Sequence, residues 1–357
     1  MDPVTKPFVS IIAPCYNEEA ILELNINTII KYMEGKADKY EWEILIINDG
    51  SKDATGNIAD QLSAKNSRVR VIHHPANLNL GNALQTGFRN SKGEIIVVLD
   101  IDLSYAVDYI EQMTDKLIDT HADIVIASAY MKGGKVTAVP FMRAVMSKYV
   151  NRFMRFAAQD KYYTFTGMVR AYRKSYIQSV NLKTKDYEIM PEIIYKSMIL
   201  RAKIVEIPAH LDWTEQNKFA GKRSSSLRVL RSFFSGLMSG FIFRPYIFFM
   251  GIGTFLLLLS LYQLIWLFYD TVSAYNVLIH QVPRVDYPFS ESLAMQFKKN
   301  PQSFLVGGIT FLAAIQFLSL GFVSLQNKRY FEELFHLGTS VKKQAMQGKN
   351  SETQIIS

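Results

Sequence analysis

Two long stretches without a charged residue, Pro245 to Tyr269 and Pro301 to Asn327, constrain this chain more than any other feature. Each exceeds the ~20 apolar residues that a helix needs to cross the hydrocarbon core of a bilayer. A pair of buried core helices is the alternative, but the run Phe255-Leu256-Leu257-Leu258-Leu259 offers no polar face to water. Two transmembrane helices are therefore expected. The segment Met1 to Ser10 carries Asp2 and Lys6 and no apolar core, so no signal peptide is expected there.

Cations set the expected orientation, because Lys and Arg beside a span stay on the cytoplasmic side. Between Gln216 and Arg244 lie Lys218, Lys222, Arg223, Arg228, Arg231 and Arg244 with no acid, and Lys328 and Arg329 follow the second span. The connecting segment holds Arg284, Lys298 and Lys299, offset by Asp270, Asp286 and Glu291. The expectation is a multi-pass protein of the cell membrane with both termini cytoplasmic. Its parts are a cytoplasmic domain over residues 1–223, an amphipathic juxtamembrane helix over 224–244, a two-helix anchor over 245–327 with an external loop near 270–300, and a cytoplasmic tail over 328–357. In the juxtamembrane stretch, Leu227, Leu230, Phe234, Leu237 and Phe241 recur at helical spacing opposite Arg228 and Arg231. That pattern suits a helix lying on anionic lipid, and equally a helix packed on its own domain with a solvated basic face.

Lys plus Arg outnumber Asp plus Glu by 40 to 32, a net charge of +8, which favours an anionic partner. Because the excess gathers beside the uncharged runs, a lipid bilayer is expected and nucleic acid is not. One cysteine forms no internal disulfide, and six histidines without paired metal-ligand spacing give no zinc pattern.

The first 130 residues alternate short β-branched runs with segments of helical length. Phe8 to Ala13, Ile44 to Ile47, Val69 to Ile72, Ile95 to Leu99 and Ile124 to Ala127 are expected strands of an α/β domain, mostly parallel with helices on both faces. Sheets of that kind bind ligands beyond the carboxyl ends of their strands. There the sequence is polar and acidic: Pro14-Cys15-Tyr16-Asn17-Glu18-Glu19, Asn48-Asp49-Gly50-Ser51-Lys52-Asp53 and Asp100-Ile101-Asp102. Carboxylates at three neighbouring strand ends repel one another unless a cation or a donor-rich ligand intervenes. No Gly-x-Gly-x-x-Gly follows a strand, which argues against a dinucleotide. Asp100 and Asp102, pointing the same way, are expected to offer oxygens to a hard divalent cation, Mg2+ or Mn2+, that also grips a diphosphate.

Those motifs, with Asn79-Leu80-Gly81-Asn82-Ala83, resemble the ordered motifs of GT-A, family 2 glycosyltransferases. Tyr130-Met131-Lys132-Gly133-Gly134, Arg143 with Ser147 and Asn151, Thr166-Gly167-Met168-Val169-Arg170-Ala171-Tyr172-Arg173 and Glu206-Ile207-Pro208 are similar to the dolichyl-phosphate mannose synthases and their polyprenyl-phosphate relatives. The resemblance covers about residues 8 to 230. It implies a GT-A, Rossmann-like fold and inverting transfer of a sugar from a nucleotide-sugar donor to a polyprenyl phosphate, dolichyl or undecaprenyl. It further implies Pro14, Tyr16, Glu18, Ile47 and Asp49 around the nucleotide, and Asp100 with Asp102 at the donor diphosphate and metal. It places Arg143, Ser147 and Arg170 at the acceptor. Ser104 stands where the family usually has Gln as a further metal-site residue, Ala129 replaces an expected Arg, and Thr164 replaces a common Asp.

Other residues carry weaker expectations. His73 and His74 are read as surface residues and Cys15 as a packing residue. Phe153, Phe156, Tyr162, Tyr163 and Phe165 suit an isoprenoid path or ordinary core, and Glu192 is a candidate to face the acceptor. Transfer to another lipid acceptor, or an inactive membrane scaffold or flippase subunit, are the alternative functions; homo-oligomers are compatible with either.

Overall fold

In the computed structural model the described residues are 6–158, 162–214, 245–281 and 287–356. The juxtamembrane stretch 224–244, with Lys222 and Arg223 before it, lies outside them. The chain divides into two units, residues 1–243 with 334–357, and residues 244–333.

The first unit is built on a seven-stranded sheet. Each expected strand is present, four of them slightly longer and β4 one residue shorter: β1 (Phe8–Cys15), β2 (Glu41–Asn48), β3 (Val69–His73), β4 (Ile95–Val98) and β5 (Ile124–Ser128). A three-residue strand, β6 (Lys135–Thr137), then precedes β7 (Arg170–Arg173) and β8 (Ile204–Pro208), and the large sheet runs in the order β3-β2-β1-β4-β7-β5-β8. All its pairings are parallel except those of β7, which runs antiparallel between β4 and β5. β6 pairs with β9 (His210–Asp212) in a separate two-stranded sheet.

Alternation along the strands feeds two cores. On one face, Val9, Ile11, Ala13 and Cys15 of β1 pack with Ile44 and Ile46 of β2 against three helices: α1 (Leu22–Glu34), α2 (Thr55–Lys65) and α4 (Tyr109–Asp119). On the other face, Ile12, Leu45 and Ile47 pack with α3 (Leu80–Asn90), α5 (Phe141–Ala158), α6 (Lys174–Ser179) and α7 (Ile189–Ile199). Helix α1 shows the logic: Leu22, Ile26, Ile29 and Met33 recur at three- and four-residue intervals and all are buried. Because β1, β2 and β4 are parallel, their carboxyl ends share one edge of the sheet, and the strand order reverses between β1 and β4.

The second unit contains the helix Pro245–Gln281, a shorter helix Pro288–Lys299 and the start of the helix Pro301–Ile356. Two segments, Pro245–His280 and Pro301–Val341, are long and apolar enough to cross a membrane. Segment 270–300, expected as a loop, is largely helical, and the stretch expected as a tail from 328 continues the second long helix. Small residues let the two long helices approach: a Cβ on Gly253 would lie 2.9 Å from the Leu318 amide nitrogen, and Ser260 Oγ donates to the Gly307 carbonyl at 3.2 Å. Their outward residues, Phe255, Ile265 and Leu312 among them, are exposed as a lipid-facing surface requires.

Candidate active site

The polar motifs after β1 and β2 fold onto each other. Asn17 takes a left-handed φ of 56°; its amide donates to Ser51 Oγ at 3.0 Å and its Oδ1 accepts from the Lys52 amide at 2.9 Å. The Glu18 amide donates to Thr55 Oγ1 at 2.8 Å, and Glu19 accepts from the Ala54 amide at 2.8 Å. Short polar side chains therefore tie the two loops together, leaving Tyr16 exposed and Glu18 partly exposed above the sheet edge.

Asp49 is buried between these loops. Its Oδ1 accepts from the Leu78 amide at 2.9 Å and pairs with His74 Nδ1 at 2.7 Å, while His74 Nε2 meets Thr86 Oγ1 at 3.0 Å. His74 is thus not a surface residue: it orients Asp49, and its tautomer follows from these two partners. His73 bonds Asn48 and Asp60 instead. Gly50 is obligatory next to Asp49, since its φ is 66° and a Cβ would lie 2.2 Å from the Ala76 carbonyl carbon.

After β4 the chain turns sharply. Leu103 has a φ of 48°, unusual for a bulky residue; its amide donates to the Asp100 carbonyl at 3.0 Å, and the Ser104 amide donates to Asp102 Oδ1, also at 3.0 Å. Asn25 Nδ2 fixes the Ile101 carbonyl at 2.7 Å. Burial pushes the Asp100 carboxyl well above the ordinary range, Asp102 adds to the rise, and Arg143 opposes it more than Glu18 reinforces it. Three acids from two strand ends and one cation from α5 therefore act on each other directly.

Arg143 sits in the first turn of α5, exposed, with its guanidinium carbon 4.3 Å from the centre of the Trp213 ring. Tyr187, just before α7, joins this group. Its phenol is raised by burial and by Asp100, Asp186 and Asp102; with 70% of the residue exposed, the carboxylates are the weightier cause. Ser147 lies one turn beyond Arg143, and Asn151 Nδ2 donates to its carbonyl at 2.9 Å. Asn151 Oδ1 accepts the Phe165 amide at 2.7 Å, and Glu206 accepts the amides of Tyr163 and Thr164 at 2.8 and 2.9 Å. These bonds hold the segment before Gly167 to α5 through Asn151 and to β8 through Glu206.

Two expected site residues are corrected by burial. Arg170 is fully buried, donating to the carbonyls of Phe165 at 2.7 Å and Met190 at 3.0 Å; it braces the 165 segment and α7 beneath the surface. Ile47 is fully buried among Ile12, Ala83 and Leu84, because the alternation of β2 turns it into the α3 side of the core. Ile47→Val should therefore lower stability by about 0.5–1.5 kcal/mol and leave nucleotide affinity unchanged, measured by denaturant unfolding and titration of the folded protein. Pro14 is buried at the end of β1. Glu192 holds the amides of Lys183 and Thr184, each at 2.9 Å, and the Lys196 ammonium, which takes it away from an acceptor. Cys15 is buried as expected, and its thiol is pushed up to about 12 by burial and then by Glu18, Asp53 and Asp49.

Among the described residues no group of three or more His, Cys, Asp or Glu side chains could hold a metal. Asp100 and Asp102 nevertheless fit a hard cation, since Mg2+ commonly takes one or two carboxylates and completes its shell with substrate phosphates and water. Burial first and the Asp102 charge second raise the Asp100 carboxyl, and a cation bound to the pair would oppose both.

Residues 10–180 match the family described as Glycosyl transferase family 2. A dolichol-phosphate mannosyltransferase of Pyrococcus furiosus is 34% identical over 203 residues, 56% of this chain and 55% of that protein, so this chain spans little more than half of it. A polyprenol monophosphomannose synthase of Mycolicibacterium smegmatis is 30% identical over 223 residues, 60% of this chain and 81% of that protein. Among solved structures, glucosyl-3-phosphoglycerate synthase of Mycobacterium tuberculosis with Mn2+, UDP and glucosyl-3-phosphoglycerate aligns at 17% identity and a TM-score of 0.49, covering 66% of this chain and 80% of that one.

Proposed function

The chain belongs to glycosyltransferase family 2, and from that premise we propose that it moves a sugar from a nucleotide-sugar donor to the phosphate of a membrane polyprenol. One observation carries the reading: an exposed arginine on α5, resting on the Trp213 ring, acts electrostatically on a carboxylate pair at the carboxyl edge of the sheet. Two anions must meet in such a reaction. The carboxylate side suits a cation-bound diphosphate, and the arginine side suits a second phosphate. The names of the two relatives, one a dolichol-phosphate and one a polyprenol-phosphate enzyme, support the same acceptor.

In the proposed reaction an acceptor phosphate oxygen attacks the anomeric carbon, and the bond from that carbon to the donor diphosphate breaks on the opposite face, inverting the centre. A phosphate monoester has a second pKa of about 6, so the attacking oxygen is already ionised near neutral pH and no strong general base is needed. The protein's task is positioning and charge balance. Asp49, held by His74, and the Tyr16 to Glu18 loop bind the nucleoside. Asp100 and Asp102, with the Ser104 amide fixing Asp102, would hold Mg2+ or Mn2+. When bound, such an ion would supply positive charge beside the donor diphosphate. Arg143, steadied on Trp213, orients the acceptor phosphate beside Ser147, and Tyr187 borders the same charges.

The cations flanking the two apolar helices support a cytoplasmic position for the first unit and both chain ends. Salt or alkaline washing of membranes should leave the protein in the pellet, because two spans are not released by screening charge. Recovery in the supernatant would refute the anchor.

A further inference from the structure

The two-stranded sheet brings an aromatic ring to Arg143. β6 and β9 pair in parallel, Lys135 with His210, Val136 with Leu211 and Thr137 with Asp212, so the chain leaves both strands in the same direction. Past β6, Ala138 takes a left-handed φ of 58° and α5 begins at Phe141, which puts Arg143 in its first turn. Past β9 the next residue is Trp213. Its amide donates to the Thr137 carbonyl at 3.1 Å, and the amide of Asp212 donates to the Ser104 carbonyl at 2.9 Å. Thr137 Oγ1 and His210 Nε2 add a bond of 2.7 Å across the same pair. Ser104 is also the residue whose amide fixes Asp102 Oδ1, at 3.0 Å. One short strand is therefore tied to the carboxylate loop and carries the ring on which the Arg143 guanidinium rests, 4.3 Å from its centre.

A pair of carboxylates attracts a side chain as long and mobile as an arginine, and Arg143 is near enough to counter the rise of the Asp100 carboxyl. Among the described residues, however, no Arg143 nitrogen lies within 4.0 Å of a carboxylate oxygen. We propose that Trp213 is a positioning residue whose ring holds the Arg143 guanidinium apart from Asp100 and Asp102, leaving the carboxylates to a divalent cation and the arginine to an acceptor phosphate. The ring can compete because an ion pair reached by an exposed side chain is weak, whereas Trp213 is fixed by backbone bonds before the guanidinium meets it. The acceptor half of this inference rests on the reaction proposed above; the separation of the arginine from the carboxylates does not.

Mn2+ binding to the full chain in detergent, read from the electron paramagnetic resonance of free Mn2+, tests this without turnover. Trp213→Leu should weaken Mn2+ binding by about two- to fivefold, the scale of one exposed contact between a cation and a ring, because the released guanidinium then competes for the carboxylates. Trp213→Phe, which keeps a ring face, should stay near the wild-type value. In an Arg143→Ala background, Trp213→Leu should change Mn2+ affinity no further, since no guanidinium is left to compete. Trp213→Leu alone should also raise the KM for polyprenyl phosphate and nearly keep kcat. Unaltered Mn2+ affinity in Trp213→Leu would overturn the proposal, as would an absence of Mn2+ binding to the wild type. An equal loss with and without Arg143 would overturn it too, by showing that the ring only props β9 and the Ser104 loop. If the Mn2+ results come out as stated while Arg143→Ala keeps ordinary acceptor kinetics, the acceptor reading fails and the separation of charges stands.

Discussion

Asp102→Asn should lower sugar transfer by about a hundredfold to a thousandfold while leaving the fold intact, the range seen when one preorganised group that stabilises developing charge is removed. The fold survives because asparagine keeps the oxygen that accepts the Ser104 amide; only the charge is lost. Stability gives a second readout. Asp100 and Asp102 repel in the unliganded protein, so Asp100→Asn should raise the melting temperature by a few degrees although it also abolishes activity. Mn2+ should raise the melting temperature of the wild type and do so much less in Asp102→Asn, since a ligand stabilises only the state that binds it. Full turnover of the wild type in excess chelator would remove the cation from this scheme.

Arg143→Lys should raise the KM for the lipid acceptor by about tenfold to a hundredfold, in line with ~1.5–3 kcal/mol for a hydrogen bond to a charged group. Charge is retained in this variant. What is lost is the planar fork that holds two phosphate oxygens at once and the flat face that lies on Trp213. Nucleotide affinity should stay near the wild-type value, as Asp49 and its partners are untouched. Arg143 is exposed and rests on the Trp213 ring, so the melting temperature should barely move. Weakening of both ligands together, with a drop in melting temperature, would mean a structural arginine. Ordinary acceptor kinetics in Arg143→Ala would dismiss it from the site.

The sheet was legible because its parallel strands are buried on both faces and appear as unbroken β-branched runs, as in Ile44 to Ile47. β7 was not, since a four-residue strand beginning and ending in arginine carries no such run, and only its place between β4 and β5 makes it a strand. Among the proposed site residues, Asp49, Asp100, Asp102 and Glu18 were legible because they lie within a few residues of strand ends. Ile47 and Arg170 misled for opposite reasons. Ile47 belongs to a motif whose alternation buries it, and Arg170 is a cation whose guanidinium is buried with its two terminal nitrogens on backbone carbonyls. His74 and Trp213 were missed because their partners, Asp49 and Arg143, lie far away in sequence and no local spacing links them. The cations Lys222 and Arg223, read in the sequence as flanking the first apolar run, lie outside the described residues.

The reaction itself is the most direct test. The full chain in detergent, given a panel of nucleotide sugars, a divalent cation and a polyprenyl phosphate, should convert that lipid to a product heavier by one sugar residue, with release of the nucleoside diphosphate. Mass spectrometry of the lipid fraction would identify both the bond and the sugar. Sugar release to water with every donor, or transfer only to a lipid lacking a terminal phosphate monoester, would contradict the account.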